Sequence, residues 1–472
     1  MAIDIASPGA NAAALKSALV VSMGNSLTGT MLSENGVDCS GATDATTALQ
    51  AVYNAVPDNS NLIAPQGATI KLSSTINVSN RSGVRLISEH QRPKDNSAKP
   101  TIIWGASGGT AFSFFCCDQP GIEGFFFNGA SGSGCPDSWL VFDGENGVGG
   151  GTKTPTQAKV SRSLFLADSG HTGYKAIQIS PTANQNHEDY EISDCDFDGY
   201  GSNPTVRRAT DGVTTISTTG LTSATATFVS GDAGKTIIVS CRIGSLTTTI
   251  ASVTNGTTVV LTADWTLASQ TGATIHIGNR VGSAIYQRGN NAFATRLINL
   301  AVQNFSIGLD LGGGSNGKIS GLGGGFNDLG MALNGGWDLD RYDCEGDMRA
   351  VSIADVNRPN LITSMRMTIP AARADGFILL SAAGNLTIIG SFTDGTPAAN
   401  SAMIWSGGAS VTSVGNFYSP YDTGAFYVNE LVSLHDNFST GIKTIFKNLP
   451  TSDPHVVGQA YTASNVSMVS AG

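Results

Sequence analysis

The stretch QNFSIGLDLGGGSNGKISGLGGGFNDLGM, residues 303–331, contains one short pattern twice. In each copy a phenylalanine follows polar or glycine residues, and a small residue then precedes a large apolar one, as in Gly308-Leu309 and Gly330-Met331. Similar positions recur through the C-terminal half at steps of 21, 18, 23, 25, 25 and 21 residues, at Phe305, Phe326, Cys344, Met367, Phe392, Phe417 and Phe438. A period of this length holds two or three short strands with their turns and stacks on its neighbours. The spacing therefore predicts a solenoid of β coils.

A second column follows the first in the same half and extends the coil pattern. Its small-large pairs are Gly308-Leu309, Gly330-Met331, Ala350-Val351, Gly376-Phe377, Ala402-Met403 and Ala425-Phe426. Toward the N-terminus, the first column continues at Phe197, Phe165 and Phe127, and the second continues at Ala176-Ile177, Leu140-Val141 and Ala111-Phe112. A small residue at a tight turn and a large one in a buried strand suit such a stack.

One step in the column is too long, which predicts an inserted domain. Phe197 and Phe305 are 108 residues apart, so one coil of about 22 residues leaves roughly 86 for something else. Residues 205–282 have Thr/Val/Ile runs such as KTIIVSC (235–241) and TTVVLT (257–262), separated by turn signals such as Asn255-Gly256. This texture favours a small antiparallel β-sandwich or barrel.

Composition and charge agree with a turn-rich β protein. Of 472 residues 58 are glycine, 13% are charged, and the net charge is −10. Such a balance argues against a nucleic-acid partner, because no basic patch is available to neutralise phosphates. The seven cysteines lack CxxC spacing and are interpreted as free thiols, so no metal and no cofactor is expected. We also expect no signal peptide and no membrane insertion, since no stretch has the required apolar length.

One helix is predicted ahead of the coils, in GVDCSGATDATTALQAV at residues 36–52. Asp44 or Thr43 can cap it, and Ala48, Leu49 and Val52 form an apolar face. A helix at this place can close the open end of a coil stack, which would otherwise expose apolar side chains and strand edges.

The order of motifs around this helix resembles the start of pectate-lyase-superfamily proteins. The resemblance rests on GVDCSGATDATTALQA, then APQGATIKL (64–72), then INVSNRSGVRLI (76–87), and it extends loosely over the stacked coils to about residue 439. It implies an all-β, right-handed parallel β-helix with an N-terminal capping helix. The fold alone does not specify a reaction, since it hosts lyases, hydrolases, epimerases and non-catalytic viral fibres.

Two other segments resemble bacteriophage tail proteins. They are LPTSDPHVVGQ (449–459) with the terminal VSAG, and ATATFVSGDAGKTIIV (224–239) in the inserted module. Together they suggest a tailspike or tail fibre, which implies a homotrimer in a virion, other tail proteins as partners, and recognition of bacterial surface polysaccharide. Assembly into a virion also accounts for the absence of a secretion signal.

These observations predict five segments along the chain. Residues 1–35 form an N-terminal segment; either it is a short peptide that anchors the protein to the virion, or the protein attaches through another protein. The others are the first part of the β-helix with its capping helix (36–204), the inserted β domain (205–282), the second part of the β-helix (283–440) and a phage-tail-like C-terminal segment (441–472).

The first candidate site is an acidic strand. In EISDCDFD, residues 191–198, inward positions for Cys195 and Phe197 leave Asp194, Asp196 and Asp198 pointing outward along one strand. Alternate residues lie about 6.6 to 6.8 Å apart, near the carboxylate separations that glycosidases use. The alternative is a solvated acidic edge.

The second candidate site is WDLDRYDCEGD at residues 337–347. It supplies carboxylates for acid and base, an arginine fork and two aromatic rings that can stack on sugars. The alternative is a charged outer face of one coil. The candidate catalytic pairs are Asp196 with Asp198, or Asp343 with Glu345, and the candidate substrate-binding residues are Asp194, Asn304, Trp337, Asp340, Arg341, Tyr342 and Arg366.

The phenylalanine register places one residue of each coil in a shared column: Asp196, Asn304, Gly325, Asp343 and Arg366. At about 4.8 Å per coil, Asp196 and Asp343 are then about 14 Å apart, so a catalytic pair must lie within one cluster or across a subunit boundary. The glycines of residues 321–325 are interpreted as a groove floor or as a simple turn or bulge.

Three functions remain open at this point. The first is a polysaccharide depolymerase that acts as an endo-glycosidase. The second is a non-enzymatic receptor-binding or structural tail protein. The third is a polysaccharide lyase, for which the available basic and phenolic residues are His171, Lys175, His187 and Tyr190.

Overall fold

A computed structural model provides the fold. It describes residues 29–89, 99–129, 134–144, 156–168, 171, 173–181, 189–199, 207–241, 244–278, 281–288, 292–293, 295–345, 347, 349–353, 360–369, 376–380, 385–395, 402–406, 410–418, 426–427, 430–438, 441–446, 460–463 and 466–469. The chain divides into two units. Unit 1 comprises residues 1–203, 280–306 and 310–315, and unit 2 comprises residues 204–279, 307–309 and 316–472.

Unit 1 is a parallel β-helix in which each strand pairs with its equivalent one coil away, which gives three parallel sheets. The first sheet contains Thr30–Met31, Asn61–Ala64, Arg85–Ser88, Gly121–Glu123, Lys159–Ser161, Glu191–Ser193 and the first part of Arg296–Gln303. The second contains Ser40–Asp44, Thr69–Leu72, Thr101–Trp104, Phe126–Asn128, Leu164–Leu166, Asp196–Asp198 and the last part of Arg296–Gln303. The third contains Ile76–Ser79, Thr110–Phe115, Ser138–Asp143, Lys175–Ile179 and Val281–Gln287. The solenoid fold class is confirmed.

The core of unit 1 is built from side chains that alternate inward along these short strands. Phe127, Phe165 and Phe197 are buried and stack on one another with ring centroids 4.6 and 4.9 Å apart. In the third sheet the aligned inward residues are Phe112, Leu140, Ile177 and Ile285. The second column is therefore confirmed at Phe112 and Ile177, whereas the large residue at the intervening coil is Leu140 and not Val141.

Tight corners between the first and second sheets require a left-handed backbone, and non-glycine residues supply it at three of the four equivalent positions below. Gly124, Arg162, Asp194 and Asn299 hold equivalent corners with φ of 83°, 53°, 54° and 51°. Neighbouring coils support these conformations by hydrogen bonds, for example from Arg162 N to Ser193 O at 3.0 Å and from Asp194 N to Ile298 O at 2.9 Å. The corners are thus invisible to a sequence search for glycine.

The predicted capping helix runs over Thr46–Ala55 and packs on the first coil. Leu49 and Val52 are buried as expected, and the Asp44 carboxylate accepts a hydrogen bond from Thr46 N at 3.0 Å. Gln50 exchanges two hydrogen bonds with the backbone of Asn77, at 2.7 and 2.8 Å, which fixes the helix to the strand Ile76–Ser79. A short 3-10 helix, Ser33–Asn35, precedes it.

The inserted module, in unit 2, is a closed six-stranded barrel. Its strands are Arg207–Thr214, Thr218–Thr222, Thr236–Cys241, Gly244–Asn255, Thr258–Trp265 and Gln270–Ile277, with a 3-10 turn at Ser230–Asp232. The barrel has its own apolar core, which includes Leu221, Val239, Val259, Trp265 and Ile275.

Unit 2 also contains the later coils. The long strand Leu329–Glu345 pairs in parallel with three successive strands, Arg349–Ile353, Asn360–Thr363 and Arg366–Ile369. The strands of the following coils are Gly376–Leu380, Asn385–Ile389, Phe392–Gly395, Ala402–Ser406, Ser410–Tyr418, Phe426–Tyr427 and Glu430–Phe438. Gly441–Phe446 then pairs antiparallel with Glu430–Phe438, and Ala460–Ala463 with Val466–Val469 forms a separate hairpin. Two further strands are Ala292–Phe293, in unit 1, and Phe305–Gly325, whose residues are divided between the two units.

The phenylalanine column is not uniform in unit 2. Cys344 is buried as expected, but Phe326 is 40% exposed at a corner with φ of 60°. Registers also shift by one residue, since Arg366 and not Met367 pairs with Phe392, and the second column passes through Ile378 and Ile404 rather than Phe377 and Met403. The corner explains the first difference, because Phe326 itself occupies the left-handed bend and its side chain turns away from the core.

Candidate functional site

The strand Asp196–Asp198 presents two carboxylates on the outer face of the second sheet of unit 1. Phe197 lies between them and is buried in the aromatic stack, so the flanking aspartates point to the opposite face and are half-buried. Asp196 makes no side-chain hydrogen bond within the described part of the chain. The outward direction of Asp196 and Asp198 is thus as the alternation predicts.

Asp198 is held by two amide groups from the next coil. Gln303 Nε2 donates to Asp198 Oδ2 at 3.1 Å, and Asn304 Nδ2 donates to Asp198 Oδ1 at 3.0 Å. Asn304 is nearly buried and has a φ of 66°, so the bend after the strand directs its side chain back to the carboxylate. Both oxygens of Asp198 are therefore fixed in direction.

The register between these coils differs from the expected one. Asp196 pairs with Ala301 and Phe197 with Val302, whereas the phenylalanine column places Asn304 opposite Asp196. The column misleads here because Phe305 follows the bend at Asn304 and is not equivalent to Phe197. Asn304 nevertheless reaches the acidic strand, at Asp198 instead of Asp196.

Asp194 does not lie on the same strand as Asp196 and Asp198. It occupies the left-handed corner after Glu191–Ser193, and its carboxylate accepts a hydrogen bond from Asn299 Nδ2 at 3.2 Å. The expectation of three aspartates along one strand is corrected to a pair on a strand and one at a corner.

Beside the pair, the outer face of the second sheet is apolar, a feature that the sequence reading missed. Leu164 pairs with Asp196 and Leu166 with Asp198, and on the coil before them Phe126 pairs with Leu164. All three apolar side chains are half-buried. The signal was present in the triplets Phe126-Phe127-Asn128 and Leu164-Phe165-Leu166, because an inward central residue forces its neighbours outward.

The second acidic cluster lies in unit 2, and its two aromatic rings are in the core. Trp337 and Tyr342 are each 1% exposed, and Tyr342 donates a hydrogen bond to the buried carboxylate of Asp347. Burial raises the pKa of Tyr342, so that the hydroxyl remains a donor. The expectation that Trp337 and Tyr342 offer stacking faces to sugars is therefore wrong, because both side chains fall on the inward positions of their strand.

The charged members of this cluster are on the surface. Asp343 and Glu345 are exposed on one face of the strand, and Asp343 pairs in register with Arg366 on the next strand, as expected. Within the described residues, none of these three makes an ion pair or a side-chain hydrogen bond. Asp340 accepts a hydrogen bond from Thr363 Oγ1 at 3.0 Å, and Arg341 occupies a left-handed corner where its Nη2 lies 3.3 Å from Ser320 Oγ.

The glycines of residues 321–325 lie against this strand. Phe326 N donates to Glu345 O at 3.0 Å, and a Cβ on Gly325 would lie 2.6 Å from the same oxygen. Gly321 is a left-handed corner with φ of 72°. The run therefore includes a turn, and at Gly325 it provides a place where a side chain cannot fit.

Of the basic and phenolic residues considered for a lyase, the structure describes His171, Lys175 and Tyr190, and the first two lie near one carboxylate. His171 Nε2 lies 2.9 Å from Asp137 Oδ1. The pKa of Asp137 is lowered, most of all by the hydrogen bond that its carboxylate accepts from Gly109 N, and the nearby positive charge of Lys175 lowers it further. Tyr190 is buried and donates to Gln287, and His187 lies outside the described residues. The Tyr190 hydroxyl is therefore not at the surface, where a lyase would need it.

In the part of the chain that the structure describes, no group of three His, Cys, Asp or Glu side chains could hold a metal ion. The same residues include no helix with the length and apolar character needed to cross a membrane.

Comparisons with known proteins give matches in structure but not in sequence. No family profile matches the chain, and no curated protein matches it. Among solved structures it is similar to ORF18 of Geobacillus virus E2, with 12% identity and a TM-score of 0.43 over 93% of this chain and 68% of that one. It is also similar to the tailspike protein of an Acinetobacter phage, with 10% identity and a TM-score of 0.45 over 91% of this chain and 65% of that one.

A third similar structure is the tailspike protein of Escherichia coli bacteriophage HK620, solved as a mutant in complex with a pentasaccharide. The identity is 10% and the TM-score 0.43, over 87% of this chain and 64% of that one. Phage tailspikes are thus among the solved structures to which this chain is similar. The chain spans about two thirds of the length of these structures. At this identity and these TM-scores, the similarities carry no information about the site.

Proposed function

We propose that the protein binds a bacterial surface polysaccharide and hydrolyses its glycosidic bonds at Asp196 and Asp198, as a component of a phage tail. The observation that carries the proposal is the pairing of two half-buried carboxylates on one strand, one of them fixed by Gln303 and Asn304 and the other without such a partner. Apolar side chains beside the pair offer the faces on which sugar rings pack.

In the proposed reaction the two carboxyl groups have different roles. Two amide N–H groups donate to Asp198, which suits an ionised carboxylate that activates water as a general base. Asp196 carries the proton and donates it to the leaving glycosidic oxygen. Outward residues on one strand lie about 6.6 Å apart, at the lower end of the range for inverting glycosidases, so that a water fits between base and sugar.

The second pair, Asp343 with Glu345, is the alternative catalytic site. Two observations support it: Asp343 and Glu345 make no ion pair with any residue that the structure describes, and Arg366 at the paired position can bind a saccharide oxygen. In this alternative Asp340 and Arg341 border the site, and Asp194 borders the first one.

The test uses purified protein and surface polysaccharides from a panel of bacteria, with chain length and product mass as readouts. We expect oligosaccharides that carry an added water, with inverted anomeric configuration by NMR. Asp196→Asn and Asp198→Asn should each lower the rate about 10²- to 10⁴-fold, the usual contribution of a positioned acid or base.

Asp343→Asn and Glu345→Gln are the matched variants for the other pair. If only these two variants lose activity, the catalytic pair is Asp343 with Glu345, in unit 2. Binding without shortening of the chain would make the protein a receptor-binding protein, and unsaturated uronate ends would make it a lyase. We also propose a homotrimer that contacts other tail proteins, which light scattering and assembly with isolated tails would test.

A further inference from the structure

The apolar surface beside Asp196 and Asp198 extends over three coils of unit 1. The strands Thr101–Trp104, Phe126–Asn128 and Leu164–Leu166 precede the acidic strand in the second sheet, in continuous register. Their six outward side chains, all half-buried, are Thr101, Ile103, Phe126, Asn128, Leu164 and Leu166. Four of the six are apolar, and we call this surface the apolar platform.

The apolar platform is continuous with the carboxylates. Ile103, Asn128, Leu166 and Asp198 are successive members of one column, and Thr101, Phe126, Leu164 and Asp196 are successive members of the other. At about 4.8 Å per coil, the three steps from Ile103 to Asp198 cover about 14 Å. An extended chain that passes over the carboxylates along the helix axis therefore also passes over the platform.

The platform carries no charge of its own. The first cation in its columns is Lys71, which pairs with Ile103 at the end remote from Asp198. On the adjoining first sheet, Lys159 is 3.2 Å from Glu191, and Arg162 forms an ion pair with Glu123. An anionic sugar bound here would therefore meet Asp196 and Asp198 without a compensating cation among these positions.

We infer that the platform binds the uncharged part of the saccharide, in which the sugars present methyl groups, as in 6-deoxyhexoses or O-acetylated hexoses. The inference rests on the proposal that this face receives polysaccharide. A sugar hydroxyl in contact with Leu164 or Leu166 would lose its hydrogen bonds to water without forming new ones, which makes binding less favourable. A methyl group at the same place makes binding more favourable, because its apolar surface is removed from water. Phe126 adds an aromatic face on which the apolar side of a ring can pack.

The test measures dissociation constants by calorimetry with the Asp196→Asn variant of the full chain, so that the readout does not need cleavage. One arm uses fragments of an O-acetylated polysaccharide before and after mild alkaline de-O-acetylation. A second arm uses fragments that contain a 6-deoxyhexose and their 6-hydroxy counterparts, and a third uses uronate-containing fragments before and after reduction of the carboxyl groups. We expect about fourfold tighter binding for each contacted methyl group, and tighter binding after carboxyl reduction.

Leu166→Asn changes an outward apolar side chain for a polar one of similar size and should abolish the methyl preference. The matched control is Val141→Asn, at a half-exposed outward position of the third sheet, which should leave the preference unchanged. Equal affinities for methylated and unmethylated fragments would overturn the inference. A change in molecular mass on light scattering for Leu166→Asn, with affinity unchanged, would also overturn it and would identify a subunit contact. Methyl-selective binding by a wild-type protein that cleaves nothing would instead defeat the proposed catalysis and leave the inference standing.

Discussion

At the scale of single residues, the candidate site depends on how one carboxylate is held. Asp198 accepts a hydrogen bond from the side chain of Asn304, and Asp194 accepts one from the side chain of Asn299. Both asparagines lie at left-handed corners. The two asparagines thus make the same kind of contact from the same kind of backbone. Only one of the two aspartates belongs to the proposed catalytic pair, which allows a matched comparison.

Asn304→Gly should lower kcat/KM about 10- to 100-fold. Glycine keeps the positive φ, so the change removes the amide donor and spares the backbone, and a hydrogen bond to a charged group is worth about 1.5 to 3 kcal/mol. Initial rates of polysaccharide cleavage measure the effect. Asn299→Gly is the control and should leave the rate unchanged, and equal losses in both variants would contradict the assignment.

At the scale of elements, the sequence predicts the inward residues that recur from coil to coil, and it misses the left-handed corners between strands. Phe127, Phe165 and Phe197 could be placed correctly because each is the central residue of a three-residue strand, and the stacking of coils demands a large inward side chain there. Phe305 follows a left-handed corner and Phe326 occupies one, so their spacing continues the pattern although their positions within the coil differ. Trp337 was misread for a related reason, since the left-handed corner at Arg341 resets the alternation within one long strand. Tyr342 follows that corner, and simple alternation from the inward Cys344 already places it in the core.

Phe165→Ala should lower the free energy of unfolding by about 3 to 5 kcal/mol, because it removes the central ring of a buried stack and leaves a cavity. Chemical denaturation with a probe of unit 1 measures the loss. Phe326→Ala, at a residue that is 40% exposed, should stay within about 0.5 kcal/mol of wild type. Similar losses for both variants would argue that the column is uniform after all.

The turn that leads into the capping helix should open in acid. Asp38 accepts hydrogen bonds from the side chains and backbone N–H groups of Ser40 and Thr43, at 2.6 to 2.8 Å, and those from Ser40 contribute most to lowering the pKa of its carboxyl group. A lowered pKa means that the stabilisation is present above the unfolded pKa of about 3.9 and is lost as the pH falls through the folded value.

Amide protection factors of Ser40 and Thr43, measured by NMR at pH 7 and pH 2, test this expectation. Protection in the wild type should fall at the lower pH, whereas Asp38→Asn should show reduced protection at both. Protection that is the same at both pH values in the wild type would contradict it.

At the scale of the whole molecule, the inserted barrel interrupts the chain without interrupting the pairing of the coils. Lys175–Ile179, which precedes the barrel, pairs with Val281–Gln287, which follows it. The sequence could predict this insertion because texture and spacing both change there. It could not predict that the barrel is also tied to a later coil within unit 2, where His276 Nδ1 lies 3.1 Å from Asp328 Oδ1 and both side chains are buried.

The His276 and Asp328 pair should couple the barrel to that coil. His276→Ala alone should be destabilising, by about 1.5 to 3 kcal/mol, since it removes a hydrogen bond to a buried carboxyl group. A double-mutant cycle with Asp328→Ala, followed by thermal denaturation, should give an interaction energy of about 0.5 to 3 kcal/mol. Additive effects would show that the barrel is an independent appendage.

The alternation of inward and outward side chains along each three-residue strand also has a meaning for how such a protein can change. Phe127, Phe165 and Phe197 maintain the stack, while Phe126, Leu164, Leu166, Asp196 and Asp198 face away from it. The two sets are interleaved in sequence but share no packing. A randomised library limited to the outward set would therefore explore new ligands without repeating the search for a stable fold.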